Sequence, residues 1–274
     1  MFEGKVTVTL VSGLLLAAAL GGCTDDESRI ATGEPEALTT ANRITANRIT
    51  ANRITANRIT ANMLAAGELL STADGRDLFT YIVSCAIPDG ETLEATVDGT
   101  TYEFPGSIGL APAWEDRALS EREKRWVSAC LIARVNAYGI SVPISIRGDH
   151  EALAVSADEV ASFGLEEGAF YGNVFVPEDQ PIEWVACRGE AQAAGETGGL
   201  VNRDCTEPDA DGLTKCGFTF AGDCVRYSTS TSDAHACKRR EDGHYQDCHT
   251  VAGDRRWPSG TERKEVITVF VQGS

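Results

Sequence analysis

Eight cysteines between residues 85 and 248, behind a leader-like N-terminus, constrain this fold more than any other feature. They are Cys85, Cys130, Cys187, Cys205, Cys216, Cys224, Cys237 and Cys248. An even set in an exported chain reads as a disulfide framework, because compartments outside the cytoplasm are oxidising. Spacing alone leaves the connectivity open. Helix geometry and chain order favour one bridge, Cys85 to Cys130, stapling two helices.

The ninth cysteine, Cys23, has a different setting. Lys5 lies in a short n-region, and Val6 to Leu20 is apolar apart from Thr7, Thr9, Ser12 and Gly13. That run is shorter than the roughly 20 residues of a membrane span, so residues 1–22 read as a cleavable signal. Leu20-Gly21-Gly22-Cys23 resembles the lipobox of bacterial lipoproteins. The resemblance implies that Cys23 is acylated and becomes the first residue of the mature protein. In that pattern an Asp after the cysteine tends to retain the protein at the inner membrane. Thr24 stands there instead, which implies the outer membrane, with the periplasmic or surface face left open. Each buried CH₂ of the acyl chains contributes about 0.8 kcal/mol, enough for stable anchoring without a spanning helix.

Residues 23–65 read as a tether. Four Ala-Asn-Arg-Ile-Thr pentads run from Ala41 to Thr60, and Ala61-Asn62-Met63-Leu64-Ala65 looks like a decayed fifth. A period of five makes Ile44, Ile49, Ile54 and Ile59 spiral round a helix, and it flips them between faces of a strand. The pentads resemble pentapeptide repeats, which build a square β-helix, but they make little more than one coil and put Asn at a small inward position. A flexible or partly helical tether is the simpler reading, reaching at most about 140 Å extended and about 35 Å as a coil.

Residues 1–65 carry six acidic and six basic side chains, so the whole net charge of −17 falls on residues 66–274. Such a domain is soluble, self-repelling and a poor ligand for nucleic acid. Its fold class reads as α+β, with two helices and a hairpin first and a β-rich, disulfide-stapled segment after. The boundaries fall at 66–180 and 181–274, and the two parts could share one core. Ser71 and Asp74 read as N-cap and N3 of a helix from Ala73 to Ala86. Asp98-Gly99 joins strands Thr92–Val97 and Thr100–Phe104 in a hairpin. Ser120 and Glu123 form a capping box for a helix from Glu121 to Tyr138, closed by Gly139, with Tyr138 on its apolar stripe. Later strands are expected at Ile140–Arg147, Ala169–Val176, Trp184–Arg188, Gly217–Ala221 and Val266–Gln272.

From Ala73 to about Cys187 the chain resembles a family of uncharacterised lipoproteins from myxobacteria. The residues that carry the resemblance are Thr80–Ala86, Tyr102–Pro112, Trp126–Gly139 and Glu167–Asn173. Similar proteins often carry short Asn-containing repeats before this domain. The resemblance implies no activity and no site residue.

Several constellations could carry chemistry. His235, Cys237, His244, Cys248 and His249 offer soft and imidazole ligands for zinc, though their spacing matches no standard finger. Glu207, Asp209 and Asp211 cluster hard oxygens of the sort calcium takes, without EF-hand spacing, and a solvent-exposed turn accounts for them as well. No cofactor is expected, with zinc or calcium as the alternatives. Asp149-His150 could be half of an acid–base pair, or solvated surface. Gly106-Ser107-Ile108-Gly109 approaches a nucleophile elbow without its spacing. Trp114 and Trp257 stand in loops, where tryptophan serves sugar or protein binding or plugs a core edge. The first functional expectation is a binding or structural module for a protein or glycan ligand, held at the membrane by its lipid. The second is an extracytoplasmic hydrolase, zinc-assisted or using Asp149-His150.

Overall fold

The computed structural model describes residues 68–138, 140–176, 179–226, 235–249 and 262–273. The leader, Cys23, the pentads, Gly139 and Trp257 lie outside the described residues. The fold is mixed α/β. Among the described residues it has five helices, a five-stranded mixed sheet and two two-stranded sheets.

Helix α1 (Glu68–Ser71) runs straight into α2 (Ala73–Ala86). The expected N-cap, Ser71, is therefore spent inside α1, and Thr72 takes the role. Its extended backbone breaks the helix, and its side chain accepts the Gly75 N–H at 3.0 Å. Gly75 is dictated by this sharp join. A Cβ there would meet the Leu69 carbonyl oxygen at 1.7 Å, a backbone atom that cannot swing aside.

Strands β1 (Thr92–Val97) and β2 (Thr100–Pro105) form the hairpin, turning through Asp98 and Gly99, both at positive φ. Helix α3 (Glu121–Ala133) opens with the expected capping box. Glu123 accepts the Ser120 N–H at 2.8 Å and takes Arg117 in a two-pronged pair at 2.6 and 2.7 Å. Burial works against the Glu123 charge, but Arg117 and the cap donors outweigh it and hold its pKa at about 2.

Helix α3 stops at Ala133, not at Tyr138. The Arg134 and Val135 N–H groups already bond three residues back, which tightens the last turn. The backbone then leaves to meet the 3-10 turn Gly198–Asn202, with Asn136 Nδ2 on the Asn202 carbonyl at 2.9 Å. Tyr138 consequently leaves the apolar stripe, is 52 % exposed, and donates its hydroxyl to Asp204.

The large sheet is built from β3 (Ile144–Arg147), β4 (Leu165–Asn173), β5 (Glu183–Arg188), β6 (Thr219–Asp223) and β9 (Ile267–Val271), in the order β3-β9-β4-β5-β6, antiparallel except for the β5–β6 pair. Strand β3 is Ile144–Arg147, four residues shorter than expected at its start, because Pro143 has no N–H to give to a ladder. Strand β4 is Leu165–Asn173, starting four residues earlier and ending three residues sooner than expected, with a bulge between Glu166 and Gly168 that continues the pairing with β9. Strand β5 is Glu183–Arg188 and β9, at the sheet centre, is Ile267–Val271. Strand β6 (Thr219–Asp223) starts two residues late, since Gly217 at φ +80° turns back onto the Thr214 carbonyl. The short helices α4 (Ala157–Ser162) and α5 (Glu190–Ala194) and the strands β7 (Lys238–Arg239) and β8 (Tyr245–Gln246) complete the described elements.

Side-chain alternation gives the sheet two buried faces. Phe170, Ala186, Ile267, Val269 and Val271 join α2, α3 and the hairpin in the larger core. Ala169, Tyr171, Val185 and Cys187 face the other way, into a smaller core with Ala236, Cys237, Tyr245 and Cys248. The sheet takes β3 and β4 from residues 66–180 and β5, β6 and β9 from 181–274.

Gly75→Ala tests the α1–α2 join. Alanine gains about 1 kcal/mol of helix propensity, whereas the clash with backbone is of the overpacking kind, about 1–3 kcal/mol. The variant is expected to be less stable than wild type by urea unfolding, despite its better propensity.

Candidate functional site

All eight cysteines of the folded part are paired: Cys85–Cys130, Cys187–Cys224, Cys205–Cys216 and Cys237–Cys248. The first is the bridge expected between the two long helices, and it ties α2 to α3. The others knit the later segment: Cys187–Cys224 joins β5 to the end of β6, and Cys237–Cys248 closes a small cap formed by β7, β8 and their flanks. Gly222 to His249 contains no Leu, Ile, Met, Phe or Trp. A segment so poor in apolar side chains cannot hold itself on a sheet by burial, so covalent ties substitute.

Under the cap, the β4 bulge directs two successive carboxylates to opposite faces. Gly168 makes the bulge fit, since a Cβ there would sit 2.1 Å from the Cys187 carbonyl oxygen at φ +153°. Glu166 points to the cap. Its carboxylate accepts from the Tyr245 hydroxyl, from the Glu190 N–H at 2.9 Å and from Arg239 Nη2 at 2.9 Å. Arg239 also reaches Glu190 at 3.0 Å. Arg239 and Tyr245 both come from the cap strands, so this cluster fastens cap to sheet. With three donors on Glu166, its oxygens are committed to structure.

Glu167 points to the helices. It pairs with Arg203 at 2.6 Å, and both side chains are at most 1 % exposed. Burial pushes the Glu167 pKa up, and Arg203 opposes that shift. Arg203 Nη2 also donates to the Ala133 carbonyl at 2.7 Å, satisfying the C-terminus of α3. Neither Arg203 nor Glu167 carries a sequence signal for this pairing. They are 36 residues apart, and the Glu167–Asn173 stretch does not reach Arg203.

Among the described residues, no three of the expected zinc ligands bring their ligand atoms together. Cys237 and Cys248 are bonded to each other, which leaves no thiolate for a metal. His244 Nδ1 instead pairs with Asp242 at 2.8 Å. Among the described residues, the cysteine, histidine and carboxylate atoms that do cluster are the sulfurs of Cys187, Cys224 and Cys237. Two of the three expected calcium carboxylates accept protein donors. Asp209 Oδ1 accepts the N–H groups of Asp211 and Leu213, both at 2.9 Å, and Glu207 accepts Gln192 Nε2 at 2.9 Å.

His150 is a local cap. Its Nδ1 accepts the Ala152 N–H at 3.1 Å, its ring stands edge-on to Trp126, and burial followed by Arg122 lowers its pKa. Asp149 is exposed. Ser107 bridges Pro88 in extended pairing, where a nucleophile elbow would need a sharp turn. Trp114 is 1 % exposed and packs towards Phe79, so it plugs the core.

Comparison with family models, curated proteins and solved structures finds no match for this chain.

His249 closes the cap beside Cys248, and its carbonyl accepts the buried Tyr171 hydroxyl. Burial lowers its imidazole pKa from 6.5 to about 4, with Glu262 opposing and His235 reinforcing the shift. Between those two values the unfolded chain binds a proton that the folded chain refuses, so stability falls as pH drops through this window. His249→Gln is expected to flatten the fall in melting temperature between pH 6.5 and 4. An unchanged profile in calorimetry contradicts that assignment.

Proposed function

We propose that this chain is a lipid-anchored cell-envelope protein whose α+β folded part is displayed as a binding or structural module. The observation that carries the reading is the cysteine partition. The eight cysteines of the folded part satisfy one another in four bridges, so Cys23 stands outside the disulfide framework. Acylation at the lipobox-like Leu20-Gly21-Gly22-Cys23 gives that ninth cysteine a purpose. In this reading residues 1–22 are removed, Cys23 enters the outer membrane, and residues 23–65 hold the folded part away from it. The helical part to about residue 180 and the stapled part after it then form the displayed unit. The likeness to myxobacterial lipoproteins with Asn-containing repeats points the same way.

A binding role is supported by how the candidate acid–base and metal-ligating groups are used. His150 caps a turn, Asp209 closes another, and Cys237 is in a disulfide. The acidic folded part, with its net charge of −17, suits protein or glycan ligands better than nucleic acid or a bare anionic bilayer. The hydrolase reading draws no comparable support.

The full chain should be expressed in a diderm bacterial host fed labelled palmitate. Label is expected on the wild type in the outer-membrane fraction. Cys23→Ser should lose all label and run as a larger, uncleaved precursor. Label retained by Cys23→Ser, or a soluble unlabelled wild type, would overturn the anchored reading.

A further inference from the structure

Two of the four bridges touch. Cys187 Sγ lies 3.5 Å from Cys237 Sγ, so the Cys187–Cys224 and Cys237–Cys248 bonds meet through one sulfur each. The sulfurs of Cys187, Cys224 and Cys237 all lie within 4.8 Å of one another. Backbone pairing fixes this juxtaposition: the Cys237 N–H donates to the Cys224 carbonyl at 2.7 Å, and the Ala236 N–H to the Asp223 carbonyl at 2.8 Å. Cys85–Cys130 and Cys205–Cys216 belong instead to the helix-side core.

A thiolate attacks a disulfide sulfur from contact distance and displaces the second sulfur. We propose that the touching bridges form a thiol–disulfide exchange site, in which opening Cys237–Cys248 passes a free thiol to Cys224. The opening is done by a small dithiol reductant, which delivers two electrons and two protons to Cys237–Cys248 and is itself oxidised to a disulfide. The Cys237 thiol then gives up its proton, and the thiolate attacks Cys187 Sγ. The Cys187–Cys237 bond forms, the Cys187–Cys224 bond breaks, and the electron pair leaves on Cys224 Sγ, which takes up a proton. This second step is an isomerisation and needs no oxidant.

Chain entropy hardly opposes the swap. The alternative bridges span 37 and 50 residues, and closure entropy grows only with the logarithm of loop length. The consequence is mechanical. In the exchanged form the cap is bonded directly to β5 through Cys187, while Cys224, at the end of β6, is released from its neighbour strand. The cap is thus either cross-linked within itself through Cys237–Cys248 or bonded to β5 through Cys187, selected by the thiol environment.

The test uses the full chain with Cys248→Ser, exported into an oxidising compartment, quenched in acid, alkylated and mapped by peptide mass. Exchange places alkyl label on both Cys237 and Cys224. Cys216→Ser is the control: it frees Cys205, away from the touching pair, and sets the background for Cys224. Label on Cys224 above that background supports the proposal, and label confined to Cys237 overturns it. Should Cys248→Ser not fold, the wild-type chain answers the same question by partial reduction with a limiting dithiol. Two-thiol species labelled at Cys224 and Cys248 are then expected. Cys248 label found only together with Cys237 label contradicts exchange.

Discussion

The β-sheet is buried on both faces, and everything else follows from how differently the two faces are covered. Strand β4 shows the demand: Phe170 goes to one core, and Ala169 and Tyr171 go to the other. On one side the chain supplies two amphipathic helices and a hairpin rich in apolar residues. On the other it supplies a cap with almost none. The first face has a large apolar core besides the Cys85–Cys130 and Cys205–Cys216 bridges. The second has a small one, supplemented by Cys187–Cys224 at the β5–β6 edge, by Cys237–Cys248 within the cap and by the Glu166 cluster. A buried cluster whose members are all engaged fixes one cap orientation, because a different register would strand the Glu166 charge.

The single-residue bulge between Glu166 and Gly168 resets the side-chain alternation of β4. It turns Glu166 to the cap and Glu167 to the helices, and each meets an arginine from a distant part of the chain. The two pairs differ in setting. Arg239 is partly open to solvent, whereas Arg203 is sealed and doubles as a donor to the carbonyl end of α3.

Much of the helical half was legible in the sequence. The α3 capping box, the Asp98-Gly99 hairpin and the Cys85–Cys130 staple rest on local rules: side-chain caps, turn chemistry and helix spacing. Where the reading slipped, a non-local partner had intervened. Helix α3 ends early because the chain beyond Ala133 docks on residues 198–203, and Ser71 loses its cap because α1 packs against α2. The site residues were less legible. A cysteine–histidine cluster in sequence looks like a metal set, but a disulfide between Cys237 and Cys248 removes the very ligands that made it attractive. Contact between two bridges 50 residues apart, or a glutamate meeting Arg203, leaves no trace in a linear pattern. Both arise only when β4, β5 and the cap assemble.

The central claim is that the cap face, with its small apolar core, depends on its two bridges, whereas the helix face keeps a large apolar core beside its own two. Hydrogen exchange on a chain with Cys187, Cys224, Cys237 and Cys248 all replaced by alanine tests it most directly. Amides of α2, α3 and β9 should keep their protection while those of β7, β8 and the residues around them exchange at unfolded-like rates. Retained protection in β7 and β8, or simultaneous loss throughout the chain, would contradict a division of labour between the two faces.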